Sequence, residues 1–217
     1  MKIWIAIIAA ISVLVAAVGE NPWNVFKILI ESAFGSAENI SYTLFYATPL
    51  LLTGISVTLA LKCGLFNIGA EGQVYLGAIG AASVAGLAHR YFHEGAAPST
   101  VFFFWIIGFL ASFLACAAWG AIAGFLKAYR NTHEVIVTIM LNFIAYAAAN
   151  WVVLNPLKNL DTQSAETVWL PDAFQIQKIW QHLGPFFIVA IAISLSCLFF
   201  VKKTWGGFKL RAVGENP

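Results

Sequence analysis

Gly64-Leu-Phe-Asn-Ile-Gly-Ala-Glu-Gly-Gln73 sits between two long apolar runs and places an asparagine, a carboxylate, an amide and three glycines where hydrocarbon is expected. A bilayer interior offers no water to freed backbone groups. Irregular or polar segments persist at that depth only where protein covers them or where they line a cavity. Two readings are open for this decapeptide. It is an interrupted or re-entrant segment beside a solute path, or a cytoplasmic loop in which Lys62 and Glu71 are solvated.

The surrounding chain decides the class. Of 217 residues, 60% are hydrophobic and 10% charged, and the mean hydropathy is +0.82. Soluble domains carry roughly a quarter charged residues. The composition is that of an all-α, polytopic membrane protein. Six apolar stretches have the length of a helical span: 2–18, 40–61, 68–88, 101–126, 135–154 and 186–201. The first also has the outline of a signal peptide, with Lys2 before an apolar core and Ala17 and Gly19 ahead of Glu20. Five spans behind it favour a retained helix.

With the N-terminus inside, Lys2, Lys62, Lys127, Arg130, Lys202, Lys203, Lys209 and Arg211 fall on the cytoplasmic side, against Lys27, Arg90, Lys158 and Lys178 outside. This asymmetry is the expected one and puts both ends of the chain in the cytoplasm. The net charge of +2 is the sum of two oppositely biased faces and gives no reason to expect nucleic acid. Cys63, Cys116 and Cys197 belong to different spans without paired spacing, and read as small packing residues.

Small residues recur every fourth position in the fourth stretch (Gly108, Ser112, Cys116, Gly120, Gly124) and the third (Gly77, Ala81, Ala85, with Ala78, Ala82 and Gly86 alongside). Such stripes predict close helix packing. Residues 155–184 read as an external loop with a short helix at the interface, and Trp23, Trp151, Trp169 and Trp180 as boundary residues. After Lys203 the composition predicts a basic, glycine-containing tail with no terminal helix. The chain divides into a transmembrane part, 1–203, and the start of a cytoplasmic segment, 204–217.

Catalytic signatures are missing from the sequence. It carries no Walker pattern, no His-Glu-x-x-His and no nucleophile elbow. His89 and His93 are spaced for one helix face, but only Glu94 stands near as a third ligand, and a loop pair without a role is the simpler reading. Asn131 or Thr132 is the expected cap of the helix that His133 and Glu134 open. Asn142 is either a helix-to-helix hydrogen bond or a solute contact. Phe66, Tyr75, Phe143 and Tyr146 lie beside the polar positions and suit a flat or sugar-like ligand.

Three motifs in order carry a resemblance: Leu65-Phe-Asn-Ile-Gly-Ala-Glu-Gly-Gln73 with Leu76-Gly-Ala78, His133-Glu-Val-Ile-Val-Thr-Ile-Met-Leu-Asn142, and Gly206-Gly-Phe-Lys-Leu-Arg-Ala-Val-Gly-Glu-Asn-Pro217. Together they resemble the inner-membrane permeases of bacterial ABC importers for nucleosides and simple sugars, the nucleoside branch above all. The resemblance implies that Asn67, Glu71 and Gln73 belong to an interrupted helix near a translocation path; Phe66, Asn142 and Tyr146, from the reading of the residues above, are further candidates for that path or for substrate contact. It implies an ATPase-coupling element holding Gly206, Gly207, Arg211, Gly214, Glu215 and Asn216.

The partners it implies are cytoplasmic ATP-binding subunits, a second permease subunit, an extracytoplasmic substrate-binding protein and the lipid bilayer of the bacterial inner membrane. No cofactor is expected on this chain, since ATP is used by the partner subunit. Members continue through further spans after the coupling loop, so a fragment is expected here. An ion-coupled secondary carrier is the alternative, with Glu71 its one candidate titratable group. Glu71 can equally cap a helix or pair with Lys62.

Overall fold

The computed structural model describes residues 2–92 and 96–215, the side chain of Lys2 excepted. Eight α-helices follow one another among the described residues: α1 Lys2–Ala17, α2 Pro22–Phe34, α3 Ala37–Lys62, α4 Ala70–Tyr91, α5 Pro98–Arg130, α6 Glu134–Leu154, α7 Phe186–Lys203 and α8 Trp205–Glu215. Each of the six expected segments is largely helical, 68–88 only from Ala70, but fewer than six qualify as spans among the described residues. Four helices, α3, α5, α6 and α7, are long and apolar enough to cross a membrane. The pair α1 and α2, bent by 112° at its break, makes a fifth if taken as one span. Helix α4 has the length of a span but carries Glu71, Gln73, His89 and Arg90 among its glycines and alanines.

Two helices depart from the sequence reading. The first, α2, begins at Pro22 in the first turn, with Asn21 accepting the Trp23 N–H (2.9 Å), and Lys27 and Glu31 pair across one turn at 3.7 Å. Polar residues on that helix keep it out of an apolar scan. The second, α8, replaces the unstructured tail expected after Lys203. Thr204 caps it by accepting the Gly207 N–H at 3.1 Å, and Trp205 stacks on Phe208 with Lys209 over its ring. A hydroxyl cap and one turn of aromatic and cationic contacts outweigh the helix penalty of Gly206 and Gly207.

The chain forms two compact units. One holds residues 1–51 and 177–192, the other 52–176 and 193–217. In the first, the backbone N–H of His182 donates to the buried Ser41 hydroxyl (3.3 Å), its ring stacks on Tyr42, and its Nε2 lies 3.1 Å from Glu38. The 177–184 loop is thereby fastened to the start of α3.

In the second unit α4 runs against α5 with almost no side chain between them. A Cβ on Gly80 would stand 2.7 Å from the Ala111 carbonyl oxygen, and one on Gly77 would stand 3.1 Å from Ser112 Oγ and 3.2 Å from Cys116 Sγ. Ser112, Cys116 and Gly120 of the expected stripe lie in this seam. Gly124 faces open space, and Gly108 meets only Val84. The far end of the seam is closed by Ala88, Val101 and Phe174, with Phe92, Phe104 and Leu170 against them. Trp105 donates to the Phe174 carbonyl (2.9 Å), and His89 Nδ1 lies 3.0 Å from the Trp169 carbonyl. The expected short helix of the 155–184 segment is a single 3₁₀ turn, Asp172–Phe174.

The outer face of α5 is apolar. Phe102, Phe103, Phe109, Phe113 and Phe125 are 58–62% exposed, as suits a helix surrounded by lipid or by other membrane helices.

Candidate functional site

Helix α3 ends at Lys62, and Gly64 lies just past its end. The Gly64 φ of +75° suits a residue without a Cβ, and the turn closes as a Schellman motif: Gly64 N–H donates to the Leu61 carbonyl (3.1 Å) and Leu65 N–H to that of Ala60 (3.0 Å). The helix is interrupted until Ala70. Asn67 folds back through an Asx turn, its Oδ1 accepting the Gly69 N–H at 2.8 Å. Gly69 then starts α4, its carbonyl accepting from Gln73 N–H.

Helix α6 holds this segment through one face. Thr138 Oγ1 lies 3.4 Å from the Ile68 N–H. Asn142 donates from Nδ2 to the Ile68 carbonyl (3.1 Å) and accepts the Gly72 N–H on Oδ1 (2.9 Å). Gly72 is the third residue of α4, so its N–H is one of the four that a helix start leaves without an internal partner. The cap is supplied from another helix. Close approach depends on the glycines: a Cβ on Gly69 would meet Thr138 at 3.1 Å, and one on Gly72 would meet Asn142 Oδ1 at 2.7 Å.

One turn further along α6, the Tyr146 hydroxyl lies beside the Glu71 carboxylate. Tyr146 also meets Tyr75 edge to face at 4.9 Å and Phe143 at 6.3 Å. Glu71 is exposed, as are Tyr75 and Phe143.

Helical rise gives the level of this start. Asn142 is eight residues from Glu134, about 12 Å along α6, and Tyr146 about 18 Å. On α5, Cys116 donates to the Gln73 carbonyl (2.9 Å), and Gly120 lies against the Gln73 side chain. Gly120 is ten residues, about 15 Å, from Arg130. Both neighbours therefore set the start of α4 about 12–15 Å inside their own length. Lys127 and Glu134, 3.0 Å apart, tie the adjoining ends of α5 and α6 together.

The path residues expected from sequence thus separate into two sets. Asn67 and Asn142 hold backbone groups and Gln73 packs against Gly120, whereas Glu71 and Tyr146 lie together beside Tyr75 and Phe143. Phe66 is half exposed on the extended stretch. Thr138 and Gly72 were missed, although Thr138 stands one helical turn before Asn142 and shares its face. Glu71 meets Tyr146, and no ion pair joins it to Lys62 among the described residues.

Neither Asn131 nor Thr132 caps α6. Asn131 terminates α5 in the left-handed region (φ +48°), His133 occupies the cap position, and the Thr132 hydroxyl is buried without a partner. His93 and Glu94 of the histidine pair lie outside the described residues.

The glycines expected in a coupling element are packing positions. Gly207 is buried where α8 folds back, and a Cβ there would overlap the Phe200 carbonyl oxygen. A Cβ on Gly206 would lie 3.0 Å from the Phe200 ring. A Cβ on Gly214 would overlap the carbonyl oxygen of Lys62. Arg211 is half-buried, its Nε without a partner, and Glu215 is exposed. Asn216 lies outside the described residues.

The described residues thus hold several helices long and apolar enough to cross a membrane, an interruption between α3 and α4, and a short helix after α7. The profile of a permease family, described as branched-chain amino acid transport system / permease component, matches residues 39–217, and the chain belongs to that family. This is a family of transport components.

Among similar curated proteins is the guanosine ABC transporter permease protein NupP of Bacillus subtilis, 32% identical over 96% of this chain and 59% of its own length. The nucleoside ABC transporter permease protein NupB of Lactococcus lactis is 32% identical over 95% of this chain and 57% of its own. The glucose ABC transporter permease protein TsgB13 of Haloferax volcanii is 27% identical over 98% and 57%. The chain therefore spans under three fifths of the length of these relatives. No solved structure matches it.

Proposed function

We propose that this chain is part of a permease subunit of an ABC importer that moves nucleosides or simple sugars into the cytoplasm, and that the Glu71 edge of α4 lines its path. The observation that carries the path is the depth of that carboxylate. A carboxyl side chain beside Tyr146, which stands about 18 Å from the Glu134 end of a spanning helix, is costly against lipid and suits a hydrated or protein-lined route. Tyr75, Tyr146 and Phe143 beside it supply aromatic faces for a base or the apolar face of a sugar. The Glu71 carboxylate supplies an acceptor for hydroxyl groups. The names of the relatives, guanosine, nucleoside and glucose permeases, agree with that chemistry.

In this reading both ends of the chain are cytoplasmic, in a bacterial inner membrane. Helix α8 belongs to the element on which a cytoplasmic ATP-binding subunit docks, with Arg211, Glu215 and Asn216 as its polar contacts. A second permease subunit completes the path, and an extracytoplasmic binding protein delivers the solute. ATP is bound by the partner and no cofactor by this chain.

The same carboxylate favours a second reading, an ion-coupled carrier in which Glu71 binds the coupling cation. A pull-down from membranes of the full-length parent separates the two. Recovery of an ATPase subunit, and its loss on joint Arg211→Glu and Glu215→Arg substitution, is the expected result; no ATPase under gentle solubilisation favours the carrier.

A further inference from the structure

Gly64 and Gly214 meet backbone to backbone. A Cβ on Gly214 would come within 3.0 Å of the Gly64 nitrogen besides overlapping the Lys62 carbonyl, and a Cβ on Gly64 would stand 3.3 Å from both Cα and O of Gly214. The last turn of α8 is thus seated on the Schellman turn that ends α3. From that turn only Leu65–Ile68 separate Gly64 from Gly69, which is itself packed on Thr138 of α6.

We propose that the Gly64–Gly214 contact is the joint through which a displacement of α8 reaches the start of α4 and the Glu71–Tyr146 pair. This rests on the transport reading above. Two features suit the contact to that role. A contact of main chain on main chain has no rotamer to absorb a push, whereas a side chain between the two would yield. The four residues beyond it run without helical hydrogen bonds of their own until Gly69, and their far end is hooked by Ile68 to Asn142. A shift of the turn therefore changes the Ile68–Asn142–Gly72 hydrogen bonds, the attachment that positions Glu71. At the other end α8 is held to α7 by the buried Gly207 and the Thr204 corner.

The test uses the full-length parent with its ATPase and partner permease in vesicles, reading solute moved per ATP hydrolysed for Gly214→Ala and Gly214→Val. Gly124→Ala, at a glycine that meets nothing within 4 Å, is the reference. The expected result is at least a tenfold fall in that ratio for both Gly214 variants, with the ATPase still co-purifying and hydrolysing ATP, and no change for the reference. Gly64→Asn, which tolerates positive φ, lowers the ratio less than Gly64→Val.

A ratio within twofold of the unmodified protein in Gly214→Val overturns the joint. Loss of the ATPase from the Gly214 variants overturns it as well, since the contact then serves docking alone. If the unmodified protein recovers no ATPase, the transport reading falls first and the joint falls with it.

Discussion

Asn142 is the residue on which the start of α4 hangs. Its amide satisfies one orphan donor of α4 and one carbonyl of the interruption, at 7% exposure. Asn142→Ala leaves both groups unpaired. The expected loss is about 1–3 kcal/mol, read as a lower unfolding temperature of the full-length protein in detergent. Gly72→Ala is expected to destabilise as well, because its Cβ would press on Asn142 Oδ1 at 2.7 Å. In the Asn142→Ala background the Oδ1 contact is gone and only the Cα of residue 142 at 3.1 Å and Ala145 Cβ at 3.2 Å remain, so the double variant loses less than the sum of the two. An additive result contradicts the shared contact.

Polarity at Asn67, Gln73 and Asn142 was legible in the sequence, and so was its importance. Which of these groups serve packing and which face a path was not. The answer depends on pairings across about 70 residues, such as Asn142 with Gly72, that no local pattern encodes.

Helices α4 and α5 are held at the element scale by backbone proximity, with Gly80 at the tightest point. Gly80→Val puts side-chain atoms where the Ala111 carbonyl and the Ser112 nitrogen stand, 2.7 and 3.0 Å from a Cβ. The seam must open, and the protein is expected to be recovered from membranes at markedly lower yield and to unfold at lower temperature. Gly124→Ala, on the open side of α5, is expected to be neutral or to stabilise the helix by about 0.5–1 kcal/mol. Equal damage from the two contradicts the assignment of the seam.

The small-residue stripe predicted this packing, and Ser112, Cys116 and Gly120 fulfil it. It did not distinguish Gly124, because periodicity names a face of a helix and not how far the neighbour extends along it. For α2 the local signal was present, an Asn21 cap before Pro22, but a scan for apolar length passes over a helix carrying Lys27 and Glu31. Helix α8 was hidden by its glycines. They read as loop until the structure shows Gly207 and Gly214 as points of contact with α7 and with the end of α3.

In the whole molecule, membership of the permease family and the apolar helices stand as found; the account proposed on them is that solute passes the Glu71 edge of α4 and that the energy comes from ATP hydrolysed elsewhere. The all-α membrane class was legible from composition alone, because a chain 10% charged has little else to do with its apolar surface. The measurement that tests the account most directly is uptake of labelled nucleosides and monosaccharides by vesicles carrying the full-length assembly, with ATP supplied and with proton and sodium gradients collapsed. The account predicts uptake that requires ATP, survives collapse of the gradients and falls at least tenfold in Glu71→Gln while the assembly stays intact. Uptake that needs no ATP and disappears with the ion gradient would contradict it.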